Sequence, residues 1–279
     1  MSLSPLPLPS VGGTLERYAD FPSAHVQPRH VDVWLPPGYA EGGDRYPVLY
    51  AHDGQNLFHA DTSYTGVAWG VDETLTRLVA AGQARPAIVV GIWNTLIRAR
   101  EYMPQRAFDV PAGPAALPGF VQFAGGPPMS DAYLRCLTAE LKPFIDRTYR
   151  TLPDQPNTLI MGSSMGGLIS AYALCEYPGV YGSAACISTH WVAGEGIVVD
   201  YLAGHLPPAG RHRFYFDYGT LGTDAPYAPF QHRVDDLLRA AGYTPGQDWV
   251  TRAFPGADHT EADWRARLAI PLTFLLGTV

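Results

Sequence analysis

The sequence is poor in positive charge and has no long apolar run. Its 279 residues include 19 Lys and Arg against 26 Asp and Glu, so its formal net charge is −7. Proteins that bind nucleic acids usually carry a basic face, so we expect no nucleic-acid partner. No stretch of about 18 consecutive apolar residues occurs, so we expect no transmembrane helix and no membrane partner.

Cysteine is also scarce. The three cysteines, Cys136, Cys175 and Cys186, are odd in number and widely spaced, which predicts neither a disulfide framework nor a zinc ribbon. No H-E-x-x-H motif or other clustered ligand set occurs, so we predict no metal and no cofactor. The first residues, "MSLSPLPLPS", lack a charged segment followed by a long apolar one, so we expect no secretory signal and a cytoplasmic location.

Strand-like and helix-like segments alternate along the chain. The segment "PAIVVGIW" (86–93) is almost continuously apolar, as in a strand that is covered on both faces. The segment "WGVDETLTRLVAAGQ" (69–83) instead repeats its apolar residues at helical spacing. The same alternation continues in the second half without a change in composition. We therefore predict one α/β domain over 1–279, with a mostly parallel sheet and helices on both faces.

Residues 104–130 interrupt this alternation. The segment is rich in Pro and Gly, and Phe108, Phe120 and Phe123 are interspersed among them. We interpret it as a loop insertion, and a loop of this length inside a compact domain usually has a function.

The heptapeptide "MGSSMGG" (161–167) carries the strongest functional signal. Gly162-x-Ser164-x-Gly166 matches the nucleophile-elbow pattern G-x-S-x-G, with a predicted strand before it and a predicted helix after it. No Lys follows the glycines, as a phosphate-binding loop would require, and the spacing does not fit a dinucleotide-binding turn. We predict that Ser164 is a nucleophile, and that glycines are needed at 162 and 166 because side chains there would collide.

A serine nucleophile requires a histidine base and a carboxylate that orients the histidine. His259 lies in a predicted loop between the last strand and the last helix, where α/β-hydrolases carry their base. Two carboxylates are candidates for the acid: Asp217 within the strand "RFYFDYG", and Asp224 in the turn just beyond it. We favour Asp224, because acids in this role usually follow the strand end, and Asp217 remains the alternative.

The motif "HDGQNLF" (52–58) is the candidate for the second half of an oxyanion hole. Gly54 allows close approach of the backbone, so the N–H of Gln55 can point at an oxyanion beside the N–H of Met165. The alternative is an ordinary turn built on Asp53 and Gly54.

Four further residues are candidates for substrate binding. Arg98 follows a predicted strand and is placed to meet an anionic acyl group, and the alternative is a solvated side chain or a pair with Glu101. Trp93, Tyr64 and His190 lie near strand ends or the oxyanion motif, so they are candidates for walls of a cleft. A purely structural role is the alternative for each of them.

Taken together, these segments resemble the putative-esterase family of α/β-hydrolases, which includes enterochelin esterases, esterase D and feruloyl esterases. The similarity runs in order from about His30 to Leu268 and is greatest to the enterochelin-esterase-like bacterial branch. It is carried by "VWLPPGY", "YPVLYAHDGQNLF", "GVAWGVDETLTRL", "NTLIRAREYMP", "ELKPFIDRTYRT", "GSSMGGLISAYALCEYP", "FDYGT" and "GADHTEADW".

The resemblance implies an α/β-hydrolase fold, Ser164 and His259 as nucleophile and base, and Gln55 as an oxyanion donor. With Asp224, these residues predict a serine carboxylic-ester hydrolase that acts on a small-molecule ester through an acyl-enzyme intermediate. The alternatives are an acyltransferase on the same triad and a non-catalytic protein that only binds a ligand. The sequence predicts no oligomeric state.

Overall fold

The computed structural model describes residues 4–278 and is organised around a nine-stranded sheet. The strands predicted over 86–93, directly before the serine turn and over "RFYFDYG" (213–219) are all present. The strands are β1 (Leu6–Leu8), β2 (Thr14–Phe21), β3 (Arg29–Leu35), β4 (Val48–His52), β5 (Ile88–Ile92), β6 (Thr158–Ser163), β7 (Ser183–Ile187), β8 (Arg213–Gly219) and β9 (Trp249–Phe254).

The strand order in the sheet is β1-β2-β3-β5-β4-β6-β7-β8-β9. All neighbours from β5 to β9 in this order are parallel, whereas β1, β2 and β3 pair antiparallel. The predicted, mostly parallel sheet of the α/β-hydrolase fold is therefore confirmed. The antiparallel edge formed by β1 and β2 was not predicted, because those strands are short or half exposed and lack a continuous apolar run.

Helices cover both faces of the sheet. Their bounds are α1 (Val71–Ala80), α2 (Arg98–Tyr102), α3 (Gly113–Ala124), α4 (Ser130–Arg135), α5 (Lys142–Thr148), α6 (Met165–Glu176), α7 (Ile197–His205), α8 (Tyr227–Ala240), α9 (Glu261–Arg267) and α10 (Ala269–Leu276), and a π-helical turn (Cys136–Leu141) joins α4 to α5. One core lies beneath α1, α9 and α10, and the other lies beneath the helices from α2 to α8. Because both faces are covered, the central strands are fully buried.

The loop predicted over 104–130 is wrong. A 3-10 helix (Gln105–Asp109) and the twelve-residue helix α3 occupy most of this segment. Pro114 lies in the first turn of α3, where a missing N–H costs no hydrogen bond, and Gly125 ends the helix in the left-handed conformation at φ 69°. Pro118 lies inside the helix. The proline content therefore indicated a loop where a helix forms.

Residues 4–278 also bear on two features that the sequence argues against, a membrane-spanning helix and a metal site. In that range, no helix is both long and apolar enough to cross a membrane. The same range has no cluster of three or more His, Cys, Asp or Glu side chains arranged to hold a metal ion. The three cysteines carry free thiols, and burial raises the pKa of Cys136 to about 11.

The turn between β6 and α6 has the geometry of a nucleophile elbow. Ser164 lies between these two elements with φ 58° and ψ −123°, a strained conformation for a residue with a side chain. A Cβ atom at Gly162 would lie 2.7 Å from the carbonyl carbon of Gly166, so glycine is required at 162. A Cβ atom at Gly166 would lie no closer than 3.5 Å to its neighbours, so the predicted need for glycine at that position was too strict.

We predict that Gly162→Ala lowers the free energy of unfolding by about 1–3 kcal/mol, because the turn must open to admit the methyl group. Gly166→Ala is the matched control, and it should change the free energy of unfolding by less than about 0.5 kcal/mol. Urea denaturation followed by circular dichroism measures both. Equal losses in the two variants would contradict the steric account of this turn.

Candidate active site

The side chains of Ser164 and His259 line one cavity of about 500 Å³ at the carboxyl end of the parallel strands. His259 lies in the loop between β9 and α9, and its Nδ1 donates a hydrogen bond of 2.5 Å to Asp224 Oδ1. The imidazole also packs edge-on against Trp264, with ring centroids 5.0 Å apart. Between residues 4 and 278, no hydrogen bond joins the Ser164 hydroxyl to His259. The structure therefore brings the three residues to one site, with His259 oriented by Asp224.

Asp224 is fully buried in the turn after β8. Its Oδ2 accepts hydrogen bonds from the Ser188 hydroxyl at 2.5 Å and from the Gly219 amide at 2.6 Å. Burial alone would raise the pKa of Asp224, but the hydrogen bonds from His259, Ser188 and Gly219 outweigh it and hold the pKa below its usual value. The carboxylate therefore stays ionised beside the imidazole.

Asp217, the alternative acid, has other partners. It forms a buried ion pair with Arg267 at 3.0 Å and accepts the Ser188 amide at 3.0 Å. Its position within β8 directs it beneath α9, whereas the turn beyond the strand carries Asp224 to His259. Of the two carboxylates, the structure thus brings Asp224, and not Asp217, to the histidine.

Ser188 is a site residue that the sequence analysis missed. It follows β7 with φ 42°, and its hydroxyl accepts hydrogen bonds from Trp264 Nε1 at 3.0 Å and from Arg267 at 2.7 Å while it donates to Asp224. The only sequence signal is its place directly after a buried strand, which many structural serines share. Ser188 thus connects the two buried carboxylates and fixes the orientation of Asp224.

The oxyanion motif forms a tight turn after β4. Asp53 adopts the left-handed conformation at φ 56° and begins a 3-10 helix (Gly54–Asn56). A Cβ atom at Gly54 would lie 2.5 Å from the carbonyl carbon of Gly91 on β5, so only glycine fits there. Gln55 lines the cavity with Ser164, and its side-chain oxygen accepts a hydrogen bond from the backbone N–H of Asn94 at 3.2 Å. Met165 is the first residue of α6, on the other side of Ser164.

Arg98 lines the same cavity, but its guanidinium is already engaged. Its Nε and Nη2 donate to the two carboxylate oxygens of Asp53 at 2.7 and 2.8 Å, and Asn94 donates to Asp53 at 2.6 Å. Burial would raise the pKa of Asp53, but Arg98 reverses this and lowers it. The alternative pairing with Glu101 is wrong, because Glu101 is buried against Arg29 at 2.6 Å.

Of the two aromatic residues predicted to line the cleft, Tyr64 borders the Ser164 cavity and Trp93 does not. The indole of Trp93 donates to Asp32 at 2.9 Å and lies under the guanidinium of Arg17 at 4.4 Å, beside the antiparallel strands. It is absent from the lining of the Ser164 cavity, so its predicted contact with substrate is not supported. Tyr64 lines that cavity and is 89% exposed.

His190 lies beside the turn that carries Ser164, with its ring centroid 6.4 Å from that of His259. Its amide donates to the carbonyl of Ser164 at 3.2 Å, and its Nδ1 is hydrogen-bonded to the Tyr227 hydroxyl at 2.5 Å. Burial, reinforced by His259, lowers the pKa of His190 to about 4, so its ring is neutral at pH 7. His190 and Met165 line a second cavity, of about 380 Å³, that borders α3.

Comparisons with known proteins agree with this architecture. The family described as "Putative esterase" matches residues 23–275. The uncharacterized protein YbbA of Bacillus subtilis (strain 168) is 27% identical over 177 residues, which cover 62% of this chain and 63% of that protein. The match thus spans less than two thirds of the relative's length.

Solved structures extend the similarity to nearly the whole chain. A ferulic acid esterase superposes with a TM-score of 0.68 at 19% identity, covering 95% of this chain and 99% of that one. An IroE-like serine hydrolase from Shewanella oneidensis gives 0.69 at 19% identity, covering 94% and 79%. The enterobactin esterase FES from Shigella flexneri gives 0.64 at 19% identity, covering 99% and 59%. At these identities the structures show the fold, and the family match shows that the chain belongs to the esterase family that its motifs resemble.

Proposed function

We propose that this protein is a serine carboxylic-ester hydrolase with Ser164 as nucleophile, His259 as general base and Asp224 as the orienting acid. The observation that carries the proposal is the 2.5 Å hydrogen bond from His259 to the buried Asp224, beside a strained serine in one cavity. Family membership supports an ester as the substrate. The volume of the cavity, about 500 Å³, lies within the usual range of small-molecule sites and supports a small molecule as substrate.

In the proposed reaction, Ser164 Oγ attacks the ester carbonyl carbon while His259 Nε2 takes the hydroxyl proton. The negative charge that develops on the carbonyl oxygen accepts hydrogen bonds from the N–H groups of Gln55 and Met165. The C–O bond to the alcohol then breaks, and His259 returns the proton to the leaving oxygen. Water attacks the acyl-enzyme with His259 again as base, which releases a carboxylic acid and restores the serine.

Ser164→Ala should lower kcat for p-nitrophenyl acetate by about three orders of magnitude or more, because the acyl-enzyme cannot form. A fluorophosphonate probe should label the wild-type protein and fail to label this variant. Ser163→Ala is the matched control, since Ser163 is the neighbouring buried residue at the end of β6, and it should retain labelling. Wild-type turnover in Ser164→Ala would end the proposal.

Asp224→Asn should lower kcat by about 10³–10⁴-fold, because an amide neither orients His259 correctly nor stabilises the imidazolium. Asp217→Asn leaves Arg267 with an uncompensated buried charge, so it should lower the melting temperature but retain activity in the protein that remains folded. Steady-state kinetics and thermal denaturation of both variants measure this difference. The assignment of the acid would be reversed if folded Asp217→Asn were inactive and Asp224→Asn active.

We further propose that Arg98 positions the oxyanion turn through Asp53 and does not itself bind substrate. Arg98→Ala should lower kcat for an uncharged ester by about 10–100-fold, because the buried Asp53 loses its charged partner, and KM should stay within about twofold. Added guanidinium ion should restore part of the rate. Arg100→Ala is the control, since Arg100 donates to the Pro127 carbonyl at the surface. A higher KM with unchanged kcat would instead indicate direct substrate binding.

A further inference from the structure

We infer that the second cavity, walled by α3, is the acyl-binding pocket and that it selects uncharged, apolar acyl groups. This inference rests on the proposed function. The cavity measures about 380 Å³, and α3 contributes Gly119, Phe120 and Phe123 to its wall.

The cavity borders the turn that carries Ser164. Met165, which lines it, is covalently joined to Ser164, and His190, which also lines it, donates its amide to the Ser164 carbonyl at 3.2 Å. The cavity that contains His259 shares none of these lining residues, although the ring centroids of His190 and His259 are only 6.4 Å apart. The two cavities are therefore neighbours at the turn that carries Ser164.

Proton transfer decides which part of an ester occupies each cavity. His259 must reach the leaving alcohol oxygen to return the proton to it, so the alcohol lies in the cavity that His259 lines. The acyl chain extends from the opposite side of the carbonyl carbon. The neighbouring cavity formed by Met165, His190 and α3 is the space that we assign to it.

The lining of this cavity is mostly apolar. Phe120 is buried against Phe108 with ring centroids 5.3 Å apart, and Phe123, one turn further along α3, is 77% exposed at the mouth. No Lys or Arg lines the cavity within the described part of the chain, and Glu195 is its one carboxylate there. His190 is neutral because burial lowers its pKa to about 4. An apolar acyl group is therefore favoured, and an anionic one meets a carboxylate with no countercharge.

The volume restricts the size of the acyl group. Small-molecule sites usually measure about 300–1,000 Å³, so this cavity lies at the small end of the range. It suits a single ring or a short aliphatic chain.

Gly119 offers a way to fill the cavity without disturbing the fold. It lies within α3, and a Cβ atom there would meet nothing within 4 Å. Gly119→Leu should lower kcat/KM for p-nitrophenyl benzoate at least tenfold, because the leucine occupies the space of the ring. The same variant should leave kcat/KM for p-nitrophenyl acetate within about twofold, because an acetyl group does not reach that space. Gly204→Leu, at an equally open position in α7, is the matched control and should change neither rate.

The charge selectivity is tested with p-nitrophenyl 4-carboxybenzoate, which differs from the benzoate by one anionic group. The wild-type protein should prefer the benzoate at least tenfold in kcat/KM. Glu195→Gln should raise kcat/KM for the 4-carboxybenzoate about threefold and leave the benzoate unchanged, because it removes one like charge.

The outcomes separate this pocket from the proposed function. Two results would overturn the assignment of the acyl pocket and leave the proposed esterase activity intact. One is a Gly119→Leu variant whose ratio of benzoate to acetate hydrolysis equals that of the wild type, and the other is a wild-type preference for the 4-carboxybenzoate. If no ester is turned over, titration calorimetry of Ser164→Ala with ethyl benzoate still tests the pocket. Binding that Gly119→Leu weakens at least tenfold then supports the pocket without the proposed reaction, and binding that it leaves unchanged overturns the pocket.

Discussion

The tight turn between β6 and α6 is the constraint on which the rest of the site depends. The backbone passes from a buried strand into a helix within one residue, and the close approach of Gly162 and Gly166 is what makes this possible. The turn leaves Ser164 strained and accessible, with the first N–H groups of α6 beside it. Because the neighbouring parallel strands end at the same edge of the sheet, the turns after β4, β8 and β9 converge on this serine.

Of the two buried carboxylates near the serine, only Asp217 has a permanently charged partner. Asp217 is neutralised by Arg267, whereas the hydrogen bonds to Asp224 come from the neutral Ser188 and Gly219 and from His259. In the proposed mechanism, a full countercharge reaches Asp224 only when His259 becomes protonated. The low polarity of the buried site strengthens that attraction. Two similar aspartates, seven residues apart, thus acquire different roles from their surroundings.

Much of the fold and part of the site could be predicted from the sequence, for identifiable reasons. The buried parallel strands and the serine turn carry local patterns, a continuous apolar run and a fixed glycine spacing, so both could be recognised. The helix α3 could not, because proline in a first turn and proline in a loop look the same in sequence. The contacts of Ser188 with Asp224 and of Trp93 with Arg17 join segments that are distant in the chain, so no short-range sequence pattern predicts them.

Arg98 illustrates the same limit of sequence-based prediction and also affects the charge of the two cavities. A lone Arg98 after a strand suggests an anion-binding residue, but the fold places the buried Asp53 within its reach, and the pair neutralises itself. Glu195 lines one cavity and Glu261 lines the other, whereas the guanidinium of Arg98 is already paired with Asp53. In the proposed reaction a neutral ester enters and a carboxylate leaves. These carboxylates do not oppose the entry of a neutral ester and they repel the product acid, so their charge favours release of the product.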